Sequence, residues 1–127
     1  MGKKLISNVG PTAGPYSPAV VAGGLCFVSG QIGFDAEDGQ LAEGGVEGEF
    51  RQALRNLESI LQAAGLDMSD VVSTTIFVTD LAQFGAVNLV FGEVFGESAP
   101  ARATVEVSAL PLGASVEIAV VAAGGPA

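Results

Sequence analysis

The clearest pattern of hydrophobic and polar positions lies between residues 46 and 64. Apolar side chains recur there at spacings of three and four residues, the repeat of one helix face. Gly65 follows the last of them and is a typical helix end. The pattern predicts an amphipathic helix whose apolar face consists of Val46, Phe50, Ala53, Leu54, Leu57, Ile60, Leu61 and Ala64. The polar positions are interpreted as its solvated face: Glu49, Arg51, Arg55, Glu58 and Gln62.

A second helical stripe follows Asp80, which is predicted to be the N-cap of this helix. Asn88 is the one polar residue on the stripe, so its side chain needs a hydrogen-bond partner. The predicted stripe comprises Leu81, Phe84, Val87, Asn88, Phe91, Val94 and Phe95.

Six segments rich in β-branched or alternating apolar residues predict strands. They are residues 4–7, 19–22, 25–29, 71–79, 101–107 and 115–122. Gly23 and Gly24 predict a hairpin turn between the second and third segments. Residues 34–48 are rich in glycine and acidic residues, so we expect a solvated loop there.

The order β-β-β-α-β-α-β-β predicts an α+β fold with two helices on one face of a mixed sheet of about six strands. Neither an internal repeat nor a linker is visible, so residues 1–127 are predicted to form one domain. The fourth and sixth strands have apolar residues on both faces. Because the helices cover only one face, the other is expected to pack against further subunits. Curling of the sheet onto itself is the alternative.

Composition excludes several kinds of chemistry. The 127 residues include 5 Lys and Arg, 14 Asp and Glu, no His and one Cys, for a net charge of −9. Without His there is no Ser-His-Asp triad, Cys-His pair or His-ligated metal. Few cations argue against nucleic acid as a partner. No apolar run long enough for a signal peptide or membrane span is visible, so we expect no membrane partner and a cytoplasmic location.

Two charged residues interrupt apolar strand segments. Arg102 is the only cation after Arg55. Its planar guanidinium presents N–H donors in a fork that matches a carboxylate or phosphate. Its structural alternative is an ion pair with Glu106 or Glu117. Glu117 interrupts a segment suited to a buried strand, where a carboxylate is costly unless it is paired or used. Its alternative is an edge-strand position that faces water.

Three further residues have alternative interpretations. The Tyr16 phenol could hydrogen-bond a ligand or anchor the N-terminal segment. Asn88 could cap a loop. Cys26, beside Phe27 in a β-rich segment, is interpreted as a buried small hydrophobe rather than a nucleophile.

Short motifs along almost the whole chain together resemble the Rid family, the reactive intermediate deaminases also called YjgF-like proteins. In order they are Gly14-Pro15-Tyr16-Ser17, Val28-Ser29-Gly30-Gln31-Ile32, Asn56-Leu57, Ala63-Ala64-Gly65, Asp70-Val71-Val72, Val87-Asn88, Pro100-Ala101-Arg102, Leu110-Pro111 and Val116-Glu117-Ile118. The resemblance implies a chorismate-mutase-like α+β fold and a homotrimer with ligand clefts between subunits. It also implies hydrolysis of enamines and imines such as 2-aminoacrylate and 2-iminopropionate to 2-keto acids and ammonia.

The resemblance also implies the site residues. Arg102 would hold the substrate carboxylate, Glu117 would orient or activate water, and Tyr16 would act from its loop as a third catalytic residue. Asn88 would bind substrate from its helix, and Gly30 and Thr104 would offer backbone groups. No metal or other cofactor is expected, because an iminium carbon is already electrophilic.

This chain departs from the family pattern at four positions that bear on substrate preference. Pro18 stands where many members have Gln, Gly33 where Pro is frequent, Ala103 where Ser is common, and Thr104 where some have Cys. The alternatives to a deaminase are a non-catalytic carboxylate-binding or chaperone-like trimer, a ribonuclease, and a pathway-specific hydrolase of another aminoacrylate-type substrate. The ribonuclease is disfavoured by the charge and the lack of His.

Overall fold

The computed structural model of the chain describes residues 2–124. Its strands are β1 (Lys4–Ile6), β2 (Ala19–Ala22), β3 (Leu25–Ile32), β4 (Phe34–Asp35), β5 (Gln40–Leu41), β6 (Val71–Val78), β7 (Ala101–Glu106) and β8 (Val116–Ala123). Its helices are α1 (Gly45–Ala63) and α2 (Phe84–Phe95). Met1 and residues 125–127, the ends of the predicted domain, lie outside the described residues.

Six strands form one mixed sheet in the order β1-β2-β3-β8-β6-β7. Among the paired strands of the described chain, only β6 and β7 run parallel, and α2 connects them. The other neighbours are antiparallel. Helix α1 packs on β3 and β8, and α2 packs against α1. The predicted α+β architecture with two helices and a mixed six-stranded sheet is therefore confirmed.

The core lies between the helices and one face of the sheet. Phe50, Leu57 and Leu61 of α1 are fully buried, as are Ile76 on β6 and Ile118 on β8. Burial of each such side chain contributes about 1.5–3 kcal/mol to the free energy of unfolding. Helix α1 ends as its pattern predicts, with Gly65 in a left-handed conformation at φ 79°.

The segment at residues 34–48 is more regular than expected. Strands β4 and β5 form a separate two-stranded hairpin, and α1 already begins at Gly45. Two aspartates stabilise this turn. The Asp35 carboxylate accepts a hydrogen bond from the Glu37 amide, and the Asp38 carboxylate accepts one from the Gln40 amide. Such local bonds let a polar, glycine-rich segment form a turn without apolar periodicity.

Three predictions about the helices were wrong. Asp80 caps a short 3-10 turn at Leu81–Gln83 that precedes α2, rather than α2 itself. Asn88 is exposed instead of lying on a buried stripe, because the covered face of α2 is narrower and consists of Val87, Val90, Phe91 and Phe95. Glu49 is buried on α1 instead of facing solvent.

The second face of the sheet has no covering layer within the described chain. Along β8, Val116, Ile118, Val120 and Ala122 are buried, whereas the alternate residues are only partly covered. Phe27 on β3 and Val105 on β7 are 45% and 41% exposed. We call this surface the open face. Among residues 2–124, no helix combines the length and apolar character that a membrane crossing requires.

Candidate functional site

Arg102 projects from β7 towards helix α2. Its Nη2 donates a hydrogen bond of 2.6 Å to Asn88 Oδ1. The guanidinium carbon lies 4.8 Å from the centre of the Phe91 ring and 5.2 Å from that of Phe84. Aromatic faces attract a cation over such distances. Two rings and one amide oxygen therefore hold the guanidinium in a defined orientation.

The expected alternative for Arg102, an ion pair, is absent from the described chain. Both ion pairs found among residues 2–124 belong to Arg51, which contacts Glu47 and Glu93. Glu106 instead accepts a hydrogen bond of 2.7 Å from the Leu81 amide. The remaining guanidinium N–H groups of Arg102 thus stay free of carboxylates from the described part of its own chain.

Thr104 lies two residues beyond Arg102 on the same side of β7. Its Oγ1 is buried and has no hydrogen-bond partner among the described residues. A buried hydroxyl without a partner is uncommon, because desolvation is then uncompensated. Together with Arg102 and Asn88, this hydroxyl marks a polar patch at the β7 edge of the sheet.

Glu117 occupies the open face of β8. Partial burial raises the pKa of its carboxyl above the ordinary value of 4.5, because desolvation disfavours the charged form. Glu117 pairs with Ile32 on β3 and Phe77 on β6. A Cβ atom on Gly30 would overlap Glu117 Oε2 and lie 2.7 Å from its Cδ. Glycine at position 30 therefore makes room for this carboxyl group.

Tyr16 lies in the loop before β2 and is half exposed. Its hydroxyl oxygen accepts a hydrogen bond of 3.2 Å from the Ala13 amide, which folds the loop over the ring. The phenolic proton remains available as a donor. This hydrogen bond anchors the N-terminal loop, which is the structural alternative that the sequence suggests for Tyr16.

Tyr16, Gly30 and Glu117 line the same cavity, of about 400 Å³. The cavity runs along the end of β3 to α1, where Asn56 and Ser59 reach it. Sequence reasoning missed several of its apolar walls: Val9, Pro11, Ile32, Phe34, Ile60 and Leu112. Leu112 lies in the turn that Pro111 and Gly113 indicate, and its backbone has a positive φ of 59°.

The site residues predicted from the sequence form two separate groups. Arg102, Asn88 and Thr104 lie at the β7 edge beside α2, whereas Tyr16, Gly30 and Glu117 surround the cavity. Arg102 pairs with Thr74 and Glu117 with Phe77. Since positions 74 and 77 are an odd number of residues apart, the two groups point to opposite faces of the sheet.

Two further features bear on the chemistry. Among the described residues, no three or more His, Cys, Asp or Glu side chains gather where they could hold a metal ion. Cys26 has no exposed surface, and burial raises the pKa of its thiol. Its interpretation as a buried small hydrophobe is confirmed.

Comparisons with known proteins agree with this architecture. The model of the family described as endoribonuclease L-PSP matches residues 7–124. The mouse protein named 2-iminobutanoate/2-iminopropanoate deaminase is 48% identical over 98% of this chain and 93% of its own. The crystal structure of the Escherichia coli YjgF gene product has a TM-score of 0.87 at 38% identity, covering 94% of this chain and 98% of that one.

A second Escherichia coli structure, that of TdcF with bound serine, gives a TM-score of 0.89 at 34% identity. The match covers 96% of this chain and 99% of that one. Fold, motifs and similarity over nearly the whole length therefore agree, and the chain belongs to the endoribonuclease L-PSP family, that of the Rid or YjgF-like proteins.

Proposed function

We propose that this chain is a deaminase that hydrolyses 2-imino acids and their enamine tautomers to 2-keto acids and ammonia. Its mouse relative is named for this activity on 2-iminobutanoate and 2-iminopropanoate. Arg102 is the observation that carries the proposal. It is a cation held by Phe84, Phe91 and Asn88, with no carboxylate partner from the described chain.

The Arg102 guanidinium would bind the α-carboxylate that every 2-imino acid carries. Its planar fork matches a carboxylate with two parallel hydrogen bonds. The TdcF relative holds serine, which has the same carboxylate next to an amine-bearing carbon. Thr104 would contribute a further hydrogen bond to the substrate carboxylate, either from its unpartnered hydroxyl or from its backbone.

Glu117 would act as the base that activates the attacking water. Its carboxylate accepts a proton from water as the water oxygen bonds to the iminium carbon, which gives a tetrahedral amino alcohol. The same proton passes to the nitrogen. The Glu117 carboxylate then takes the hydroxyl proton as the carbon–nitrogen bond breaks, so that the carbonyl forms and ammonia leaves. That second proton finally passes from Glu117 to the released ammonia, which departs as ammonium. Because the pKa of Glu117 is raised, this carboxylate is more basic than a solvated one. Tyr16 would donate its phenolic hydrogen bond beside it.

The two groups of site residues would meet between subunits of a homotrimer. They lie on opposite faces of one sheet, so one chain cannot bring Arg102 to Glu117. The exposed Phe27 and Val105 make the open face a surface suited to burial against a second copy. In such a trimer, Arg102 of one subunit would complete the Glu117 cavity of the next.

Sedimentation equilibrium tests the assembly, with an expected mass of three times 12.7 kDa. Val105→Glu on the open face should dissociate the protein and abolish activity. Leu89→Glu is the matched control, since Leu89 is also exposed but lies on α2. A monomeric wild type, or dissociation by Leu89→Glu alone, would contradict this arrangement.

An imine hydrolysis assay tests the activity. An amino-acid oxidase generates the imine from alanine or 2-aminobutyrate, semicarbazide traps what remains, and keto acid formation is followed. We expect wild type to reduce the trapped fraction in proportion to its concentration. Saturable binding of serine without any acceleration would instead identify a binding protein. Acceleration with one imine alone would identify a pathway-specific hydrolase.

RNA cleavage, which the family description names, is not favoured by this chain. It has no His to act as acid or base and only five Lys and Arg residues against 14 carboxylates. Arg51 is already engaged by Glu47 and Glu93. The phosphate backbone of RNA requires clustered cations.

A further inference from the structure

Glu49 on α1 makes a hydrogen bond that joins distant parts of the chain. Only 8% of the residue is exposed, although the helical pattern assigns it to the polar face. Its Oε1 accepts a hydrogen bond of 2.8 Å from the Ser115 amide, 66 positions further along the sequence. Ser115 directly precedes β8 and lies two residues before Glu117.

Ser115 lies one residue before β8, where its amide has no backbone acceptor among the turn and loop hydrogen bonds of the described chain. The last pair between β3 and β8 joins Ile32 to Glu117, and the chain then turns away into β4. The Ser115 carbonyl accepts a hydrogen bond of 3.2 Å from the amide of Thr79, one residue past the end of β6. The Glu49 carboxylate therefore takes the place of a strand partner at the start of β8.

The end of β3 is tied to the same helix. A Cβ atom on Gly33 would lie 2.6 Å from Glu49 Cα, so backbone packs against backbone there. Two turns further along α1, Asn56 Nδ2 donates hydrogen bonds to the carbonyl oxygens of Ile32 and Phe34, at 3.1 and 2.8 Å. Residues seven apart lie on one helix face. A single face of α1 thus anchors both strand ends beside the cavity.

These anchors lie next to the contact between Gly30 and Glu117. Ile32 is two residues from Gly30, and Ser115 is two residues from Glu117. The carboxyl of Glu117 fills the space of the missing Gly30 side chain, so a small shift of either strand end changes that contact. Fixed strand ends keep the carboxyl in one position relative to the cavity.

We propose that Glu49 is a positioning residue that holds the Glu117 carboxyl in place through the Ser115 amide. Its connection to catalysis rests on the proposed deaminase function, whereas its effect on Glu117 does not. The hydrogen bond from the Ser115 amide requires an acceptor oxygen on residue 49, but it does not require a negative charge there.

The test compares Glu49→Gln with Glu49→Leu. Both variants remove the charge, but only the glutamine keeps an oxygen that accepts from Ser115. The pH titration of the Glu117 side-chain carboxyl carbon is followed by NMR in both variants, together with kcat and KM for imine hydrolysis. Glu58→Leu, on the exposed side of α1, is the control for a leucine on this helix.

In Glu49→Gln we expect the Glu117 titration and kcat to match wild type within about twofold. In Glu49→Leu we expect the Glu117 midpoint to fall towards its ordinary value, because the released strand end admits water. We also expect kcat to fall by about tenfold while KM changes less than about threefold. In a Glu117→Gln background, Glu49→Leu should cause no further loss, because it acts through that residue.

Equal Glu117 titrations in Glu49→Gln and Glu49→Leu would overturn the proposal, as would an additive loss in the double variant. If Glu49→Leu does not fold, Glu49→Ala and Ser115→Pro, which removes the donor, replace it in the same titration. A wild type without imine hydrolysis whose Glu117 midpoint still responds to Glu49→Leu would refute the deaminase function and leave the positioning role intact.

Discussion

Arg102 and Glu117 point to opposite faces of the six-stranded sheet. Arg102 stands beside Thr74, on the face that α2 covers, whereas Glu117 stands beside Phe77 on the open face. A cation and a carboxyl so placed cannot neutralise each other within one chain. Each therefore keeps its capacity to interact with a ligand or a neighbouring subunit.

Replacement of Arg102 by Ala should strongly weaken substrate capture. Loss of a two-pronged bond to a carboxylate costs about 3 kcal/mol, or about 100-fold in kcat/KM. Arg102→Lys should recover only part of this, because lysine keeps the charge but loses the planar fork. Steady-state kinetics with in situ imine provide the measurement. Arg55→Ala is the matched control, since Arg55 is exposed and its guanidinium hydrogen-bonds only Gln52 among the described residues. Equal activity in Arg102→Ala and Arg55→Ala would contradict the role of Arg102.

We expect Asn88 to affect substrate binding by orienting the Arg102 guanidinium. Asn88→Ala removes the acceptor that orients the guanidinium, so KM should rise at least about tenfold, because a hydrogen bond to a charged group contributes about 1.5–3 kcal/mol. Asn88→Asp should raise KM further, because the new carboxylate competes with the substrate for the same cation. The order of KM values, wild type below Ala below Asp, is the diagnostic result. An aspartate variant with the KM of wild type would show that Asn88 does not act through Arg102.

The rate should follow the ionisation of Glu117. Burial raises its pKa above 4.5, so the proton-accepting carboxylate forms at a higher pH than in a solvated glutamate. The enzyme-dependent kcat should therefore rise with pH through this raised pKa, and Glu117→Gln should lose that limb and at least about 100-fold in kcat. A kcat profile from about pH 4 to about pH 8 tests both expectations. A glutamine variant with the wild-type profile would exclude Glu117 as the base.

The same shift has a consequence for stability. A carboxyl whose folded-state pKa is raised is stabilised in its neutral form. Its contribution to the free energy of unfolding is thus complete below the unfolded-state pKa and is lost as the pH rises through the folded-state pKa. Glu117→Gln, which remains neutral, should lose this part of the pH dependence in urea unfolding.

Gly30→Ala should impair catalysis without unfolding the protein. The new methyl group would occupy the space of the Glu117 carboxyl, which is the mobile end of its side chain and can move aside. We expect kcat to fall at least about tenfold, because displacement of a catalytic group by about 1 Å has large effects on rate. Thermal unfolding with parallel kinetics provides the measurement. Gly92→Ala on α2, where a Cβ has open space, is the control and should be active. Full activity of Gly30→Ala would show that Glu117 tolerates displacement.

Cys26 should be inert in the native protein. It is fully buried and burial raises its pKa, so little thiolate is present. Ellman's reagent should find no reactive thiol in the folded protein and one after unfolding in guanidinium. Rapid reaction in the folded state would instead support regulation by oxidation at this position.

The helical and strand patterns by themselves determined the layered architecture. Periodic side chains such as Phe50, Leu57 and Leu61 report one buried helix face, and alternation along 115–122 reports two sheet faces. Burial follows local periodicity, so these features are readable without knowledge of the fold. The β4–β5 hairpin was missed, because side-chain to backbone bonds at Asp35 and Asp38 form its turn, and such bonds leave no apolar periodicity in the sequence.

Arg102 and Glu117 were recognisable as candidate site residues from the sequence, because a charged side chain within an apolar strand is costly unless it is paired or used. Their surroundings were decided only by tertiary structure. Strand register sends the two side chains to opposite faces, and packing of α2 places Phe84 and Phe91 against the guanidinium. Packing of α1 on β8 brings Glu49 to the Ser115 amide. Such contacts join positions up to 66 residues apart. No local pattern encodes them, because they depend on which strands become neighbours and where each strand ends.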